Sequence, residues 1–407
     1  MREEHHTPAT VSATLTDRVV IAAAVRTPLG SLLGALSPLA AHQLGARALR
    51  AAWQRAGLSP ETIDEVLMGC VLPAGQGQAP ARQAARAAGL PDHVGATTLN
   101  KVCGSGMKAV MLGHDMLLAG SSEIVAAGGM ESMSNAPHLV RQGRAGARMG
   151  DIRLLDHMML DGLEDAYEPG RPMGDLGEVA AQTYQFTRAD QDAYATETLQ
   201  RARAAITNGD FKAEIEPVPV PAKGGAKLVT DDEHPFKVSP EKIPKLKPAF
   251  RADGTITAAS ASVNADGAAC LILTRRSIAQ ARGLPILAEI MAHATHAQRP
   301  DLYTTAPIPA IRKVLAKADW RIEDVDLFEV NEAFAVVAMA AAKELGIARD
   351  RLNVAGGACA LGHPIGASGA RIVVTLLHAL MRRGEKRGVA SLCIGGGEAT
   401  ALAIQID

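Results

Sequence analysis

Two cysteines, a histidine and an asparagine stand beside turns in this sequence, and together they could perform acyl transfer. Cys103 lies in a glycine-rich turn, Asn331 begins the run Asn-Glu-Ala-Phe, His363 lies in Gly-His-Pro-Ile-Gly, and Cys393 begins Cys-Ile-Gly-Gly-Gly. A cysteine nucleophile needs a base to become a thiolate, and histidine is the usual one. A second cysteine can exchange a proton, and backbone N–H groups or an asparagine can hold an oxyanion. The set therefore favours acyl transfer with carbon-acid chemistry over a plain Cys-His hydrolase.

Each of these residues also has a purely structural interpretation. Helical spacing after Cys103 predicts that it lies at a helix N-terminus, where the helix dipole and free N–H groups favour a thiolate. A free cysteine in a tight turn, however, is more often a core residue. Asn331 could be a helix cap, His363 a turn histidine and Cys393 a core residue. The functional prediction therefore depends on the combination and not on any single residue.

Composition excludes several classes of function. The chain has 407 residues, is 47% hydrophobic and carries a formal net charge of −1, which is typical of a globular protein of two or three domains. This charge, with only 3% aromatic residues, gives no support for nucleic-acid binding. No apolar run approaches the roughly 20 residues of a membrane helix, and neither terminus resembles a targeting signal. The five cysteines are scattered without zinc spacing, so we expect a cytoplasmic protein with no metal site.

Apolar runs and helical patterns alternate along most of the chain, which is typical of an α/β architecture. Strands are predicted at 19–25, 66–68, 124–127, 268–274, 286–290, 327–330, 389–393 and 399–406, and helices at 42–56, 78–88, 103–119, 310–318, 333–345 and 366–383. Residues 133–258 lose this alternation, are rich in glycine, proline and charge, and show one helix, Arg188–Asn208, with Thr187 as its N-cap. They are predicted to be an insertion, and residues 1–16 a disordered tail.

The chain also repeats itself. Four residues recur in the second half at one constant offset: Arg50, Ala56, Glu61 and Asp64 correspond to Arg312, Ala318, Glu323 and Asp326. In both halves a Ser-Gly pair opens a helix that leads to a strand and then to a glycine-rich turn. The repeat predicts a duplicated α/β domain.

The four motifs, in this order and at about these separations, resemble those of the thiolases. The resemblance covers about residues 17–407. It implies the thiolase fold, with two similar α/β halves, each with a mixed five-stranded sheet, and an inserted loop domain. The expected N-terminal half comprises residues 17–132 and 259–283, the insertion residues 133–258, and the C-terminal half residues 284–407.

The resemblance also implies a role for each motif residue. Cys103 is similar to the nucleophile that accepts the acyl group, and His363 to the base that activates it. Cys393 is similar to the acid/base that removes or returns the α-proton. Asn331, through a water molecule, and His363 resemble one oxyanion hole. The backbone N–H groups of Cys103 and Gly395 resemble the second.

Contacts to coenzyme A carry over by the same resemblance. Ser262 is similar to the serine that faces the pantetheine, and Lys223 lies where a basic residue near the nucleotide phosphates is expected. The positions expected to line the tunnel are Leu163, Met173, Phe250, Ala258, Ala333 and Phe334. Pro172 stands where short-chain members often have histidine, and this departure leaves the acyl chain length open.

The implied activity is that of an acetyl-CoA C-acyltransferase, which condenses two acetyl-CoA to acetoacetyl-CoA and CoA, or runs the reverse thiolysis. A degradative 3-ketoacyl-CoA thiolase for longer chains is one alternative, and a non-catalytic CoA-binding subunit is another. A ketosynthase that uses acyl carrier protein fits the motifs less well. Acyl-CoA and CoA are the expected partners, with no cofactor. Residues 138–151 resemble the family's tetramer contact, so a homotetramer is expected.

Overall fold

The computed structural model describes residues 17–407, so the tail predicted at residues 1–16 lies outside the described part. The strands are β1 (Val19–Arg26), β2 (Gly30–Ser31), β3 (Glu65–Gly69), β4 (Gly95–Leu99), β5 (Ile124–Ser132), β6 (His138–Leu139), β7 (Leu155–Asp156), β8 (Val218–Ala222), β9 (Gly225–Val229), β10 (Ala265–Arg275), β11 (Ala288–Ala297), β12 (Leu327–Val330), β13 (Arg387–Ile394) and β14 (Glu398–Gln405). The α-helices are α1 (Ala41–Arg55), α2 (Pro80–Ala87), α3 (Ser105–Leu118), α4 (Met173–Tyr184), α5 (Arg188–Asn208), α6 (Arg276–Arg282), α7 (Pro307–Ala318), α8 (Ala335–Leu345), α9 (Ala358–Leu361) and α10 (Ile365–Arg383).

One mixed ten-stranded sheet runs through the described chain. Its order is β12-β13-β14-β11-β1-β10-β5-β3-β4, and the short β2 pairs with β10. The two ends of the sheet come from the two halves of the sequence. They join where β1 pairs antiparallel with β11, through the residue pairs Val20–Glu289 and Ile21–Ala288. The strand pairs β6–β7 and β8–β9 stand apart as two small hairpins.

The halves repeat one topology, which confirms the predicted duplication. In each, a helix leads into a strand (α1 into β3, α7 into β12), and that strand pairs in parallel with a later one (β5, β13). The structure differs from expectation in one respect, because the described C-terminal half has four strands. The fifth position, beside β12, is reduced to one parallel bridge between Phe328 and Leu352. The chain cannot stay extended there, since Leu352 lies between a 3₁₀ turn and Asn353, whose φ is 47°.

The insertion contains a helix that its sequence did not predict. The helix α5 is confirmed, and the Thr187 hydroxyl caps it by accepting the N–H of Asp190. The helix α4 was missed, because Gly174 and Gly177 lower its intrinsic helix propensity. Both glycines are packing positions: a Cβ atom on Gly174 would lie 2.3 Å from the Phe250 ring, and one on Gly177 would lie 2.7 Å from Ile256. Tertiary contacts therefore decide this helix.

Two helices, α3 and α10, cross in the interior between the halves. They approach closely at glycines, since a Cβ atom on Gly369 would lie 2.4 Å from the backbone nitrogen of Met107. The helix α10 is long and apolar enough to cross a membrane by length and composition, but 83% of its most apolar window is buried inside the protein. Such a helix, apolar on all sides, belongs in a core. The crossing brings the N-termini of α3 and α10, with the turns before them, to one place.

Candidate active site

A narrow cavity of about 40 Å³ lies at the N-termini of α3 and α10. Eight of the predicted site residues line it: Cys103, Leu163, Met173, Ser262, Ala333, Phe334, His363 and Gly395. The remaining lining residues, which the sequence did not single out, are Val102, Gly162, Tyr303 and Ile365. The cavity therefore combines the two halves of the chain with the insertion.

The turn that presents Cys103 is strained. Val102 has a φ of 44°, a left-handed conformation that a β-branched residue rarely adopts. Local hydrogen bonds hold it: the Val102 N–H donates to Asn100 Oδ1 (2.8 Å), and the Ser105 hydroxyl donates to the Val102 carbonyl (2.6 Å). Lys101 also pairs with Glu398 at 2.6 Å, which ties this turn to the loop after Cys393. Strain that surrounding contacts maintain in this way is typical of functional sites.

His363 is held with one definite nitrogen free. Its Nδ1 lies 2.5 Å from the Ser368 hydroxyl, and that hydroxyl donates its single proton to the Pro364 carbonyl at 2.9 Å. The hydroxyl must therefore accept from the imidazole, so the proton of the neutral ring is on Nδ1. His363 Nε2 is buried and has no hydrogen-bond partner. Its lone pair is available to take a proton inside the cavity.

The other motif residues come from the ends of two neighbouring strands. Asn331 follows β12, where its N–H donates to the Ser391 carbonyl of β13 (3.0 Å), and both polar atoms of its side chain are buried without a partner. Cys393 lies near the end of β13 and is fully buried. The N–H of Gly395, two residues further on, lies near the Cys103 sulfur and lowers the pKa of that thiol. Cys393 and Gly395 therefore lie near Cys103, whereas the side chains of Asn331 and Cys393 do not line the narrow cavity.

Burial shifts the pKa values of both Cys103 and His363. Burial raises the pKa of the Cys103 thiol to about 11, although the N–H groups of Gly395 and Cys103 itself lower it. Burial, together with the Arg371 guanidinium, lowers the pKa of His363 to about 3. The helix start and its N–H groups favour a thiolate, but loss of hydration outweighs them, so Cys103 needs a base to become one. At neutral pH the site holds a neutral thiol and a neutral imidazole.

A second, larger cavity has a volume of about 250 Å³. Two of its lining residues, Ala258 and Cys359, lie shortly before Ser262 and His363 of the narrow cavity along the chain. Its basic side chains are Lys242 and His234. Lys223, predicted near the phosphates, lines neither cavity; it lies exposed in the turn between β8 and β9. The proline and glycine pattern of the insertion did not indicate that Lys242, and not Lys223, would line the larger cavity.

Phe250 lines neither cavity directly but supports the narrow one. Its ring contacts that of Phe334 edge to face, with 5.6 Å between the centroids.

Glu332 supports the motif that contains Asn331. Its buried carboxylate accepts from Tyr194 (2.8 Å), Thr198 (2.9 Å) and Asn353 (2.9 Å), which joins the motif to α5 of the insertion. Cys359 is buried and lines the larger cavity.

A cluster of possible metal ligands lies outside both cavities in the described chain. His114 and His293 both contact the same carboxylate oxygen of Asp115, at 3.0 and 2.8 Å. These hydrogen bonds account for the arrangement without an ion.

Comparison with known proteins places this geometry in a family. Residues 19–277 match the thiolase N-terminal domain, and residues 284–406 match the thiolase C-terminal domain. The chain belongs to the thiolase family. It is 49% identical over 391 residues to an acetyl-CoA acetyltransferase of Pseudomonas aeruginosa, covering 96% of this chain and 99% of that one.

Two solved thiolase structures have the same fold. The crystal structure of the Bacillus anthracis acetyl-CoA acetyltransferase matches with a TM-score of 0.94 and 40% identity, over 97% of this chain and 100% of that one. A thiolase from Ascaris suum in complex with coenzyme A matches with a TM-score of 0.91 and 42% identity, over 96% and 100%. The predicted thiolase fold is confirmed.

Proposed function

We propose that this thiolase is an acetyl-CoA C-acyltransferase, which condenses two acetyl-CoA to acetoacetyl-CoA and CoA and catalyses the reverse thiolysis. The observation that carries the proposal is the cavity itself. It holds the Cys103 thiol, a neutral His363 whose Nε2 is unpartnered, and the Gly395 N–H near the sulfur. The names of the similar proteins from Pseudomonas aeruginosa and Bacillus anthracis support the same activity.

In the first half-reaction, Cys103 accepts the acyl group. His363 Nε2 takes the thiol proton as the sulfur attacks the thioester carbon, which avoids a resting thiolate in a buried site. The N–H groups of Cys103 and Gly395, which lie near the sulfur, receive the oxyanion that forms beside it. The C–S bond to CoA then breaks, and the leaving thiolate takes the proton of Cys393. The site is left with acyl-Cys103, protonated His363 and the Cys393 thiolate.

In the second half-reaction, the Cys393 thiolate removes an α-proton from the second acetyl-CoA. Protonated His363 and Asn331, whose side-chain polar atoms have no protein partner, hold the enolate oxygen. The enolate carbon attacks acyl-Cys103, and the breaking C–S bond releases the Cys103 thiolate. That thiolate recovers its proton from His363, so every group returns to its starting state. Cys393 reaches its reactive form only within the cycle, because burial raises the pKa of its thiol, with nearby Cys103 adding to the effect.

The larger cavity is where we place the body of CoA. It is lined mainly by apolar side chains, which suit the pantetheine and the adenine ring, and Lys242 supplies a cation for the phosphates. Ala258 of this cavity lies shortly before Ser262 of the narrow cavity along the chain, and we place the CoA thiol at Ser262, facing Cys103. We propose no cofactor beyond these substrates.

The size of the narrow cavity favours acetyl transfer over the degradative alternative. At about 40 Å³ it is far smaller than the roughly 150 Å³ that accepts a benzene ring. A two-carbon acyl group fits such a space, whereas a long chain requires side chains to move.

A decisive experiment compares Cys103→Ala with Cys270→Ala, a matched loss of a buried cysteine in β10. We expect Cys103→Ala to lose acetoacetyl-CoA thiolysis and radiolabelled acetyl transfer to the protein, while Cys270→Ala keeps both. Label trapped on another residue in Cys103→Ala would overturn the assignment. A wild-type protein that binds CoA without thiolysis would be the non-catalytic subunit, and faster cleavage of long 3-ketoacyl-CoA would identify the degradative enzyme.

We further propose a cytoplasmic homotetramer. The segment between β6 and β7 carries exposed apolar side chains, Val140, Met149, Ile152 and Leu154, which suit contact with another copy. All five cysteines are free, as suits a reducing compartment. Light scattering tests the assembly: a mass near four times 42.4 kDa supports it, and the mass of a dimer contradicts it.

A further inference from the structure

Tyr303 is the largest side chain of the narrow cavity with no role in the proposed chemistry. It lies in the 3₁₀ turn Pro300–Thr305 that follows β11, and only 2% of it is exposed. Its hydroxyl donates to the Met173 carbonyl at 3.0 Å. Met173 begins α4 of the insertion, whereas Tyr303 belongs to the C-terminal half. The ring is therefore fixed at both ends, by its own backbone and by this hydrogen bond.

Tyr303 lies among different residues from those that line the larger cavity. The larger cavity is lined by Ala258 and Cys359, which lie shortly before Ser262 and His363 of the narrow cavity along the chain. Tyr303 instead packs in the C-terminal core that contains Cys393. Both cysteine sulfurs lie close enough to it that, after burial, they raise the pKa of its phenol. We therefore assign CoA to the side of Cys103 where Ser262 lies, and Tyr303 to the side where Cys393 lies.

We propose that the Tyr303 ring is the inner wall of the acyl pocket and limits the acyl group on Cys103 to short chains. The proposal rests on the proposed function, because the pocket is the place that acyl transfer to Cys103 requires. Met173 also covers this region, with its methyl group 3.4 Å from where a Cβ atom on Gly395 would lie. Methionine is flexible and can move aside, whereas a buried aromatic ring held by a hydrogen bond cannot.

Thiolysis of 3-ketoacyl-CoA substrates of increasing length measures this limit, because the acyl remainder is the group that stays on Cys103. In Tyr303→Leu, we expect kcat/KM for a substrate with four additional carbons to rise at least tenfold relative to that for acetoacetyl-CoA. Tyr303→Phe keeps the ring and loses only the hydrogen bond, so its preference stays within about threefold of the wild type. Tyr184→Leu, a matched change at the opposite end of α4 and outside the narrow cavity, leaves the profile unchanged.

The outcomes separate the inference from the proposed function. If the wild type does not cleave acetoacetyl-CoA, the proposed function fails. If the wild type is active and Tyr303→Leu keeps the wild-type length profile, the wall assignment is wrong. Relaxation in Tyr303→Phe equal to that in Tyr303→Leu overturns it too, since the hydrogen bond and not the ring would set the limit. Should Tyr303→Leu not fold, Tyr303→Met gives the same test, because an unbranched side chain also opens the wall.

Discussion

The hydrogen bond between His363 and Ser368 decides which imidazole nitrogen can act as a base. In Ser368→Ala the buried Nδ1–H loses its acceptor, which costs about 1–3 kcal/mol. Nε2 is equally buried and unpartnered, so neither tautomer is then favoured and part of the histidine loses its reactive lone pair. The imidazolium that forms when Nε2 takes the thiol proton also lacks an acceptor for its Nδ1–H, which adds about 1–3 kcal/mol to the barrier. We expect kcat for acetoacetyl-CoA thiolysis to fall roughly ten- to a hundredfold, with KM nearly unchanged.

A matched control separates this tautomer effect from general damage to α10. Thr375→Val removes another buried hydroxyl of the same helix, one that donates to Glu214 at 3.1 Å and does not contact His363. It is expected to lower the melting temperature and leave kcat within about twofold of the wild type. Ser368→Thr keeps the hydroxyl and restores most of kcat. A Ser368→Ala enzyme with wild-type kcat would refute the tautomer argument.

Two further predictions concern stability, both measured by urea unfolding at fixed protein concentration. Burial lowers the pKa of His363 to about 3 in the folded protein, against about 6.5 in the unfolded chain. The contribution of this neutral histidine to the free energy of unfolding is therefore fully present above pH 6.5 and is lost as the pH falls toward the folded pKa. The free energy of unfolding of the wild type, minus that of His363→Gln, therefore decreases by about 1.4 kcal/mol from pH 7.5 to 5.5. A difference that does not change with pH contradicts the lowered pKa. Gly369→Ala places a Cβ atom 2.4 Å from the Met107 backbone nitrogen and costs about 1–3 kcal/mol. Gly113→Ala, whose Cβ meets only side-chain carbons at 3.1 Å, serves as its control; equal losses would show that the helix crossing is not the cause.

The fold was largely predictable because its signals are local. Apolar runs and helical spacing located most elements of both halves, although not β4 or α6, and the repeat indicated their duplication. Two features that the sequence analysis did not predict correctly depend on tertiary packing. The helix α4 forms despite two interior glycines, because Phe250 and Ile256 occupy the space that larger side chains would need. The fifth strand of the C-terminal half shortens to one bridge at Leu352, where the backbone turns.

By itself, the sequence determined the chemistry of this protein: which side chains could act as nucleophile, base and proton donor, and that they occur in the order found in thiolases. Residue type and order along the chain are covalent properties, so they need no fold to be read. Only the tertiary structure decided that Cys103 rests as a neutral thiol, that Ser368 fixes the tautomer of His363, and that Tyr303 closes the pocket. Hydration, proton position and pocket size depend on neighbours distant in the chain, and folding alone brings those neighbours together.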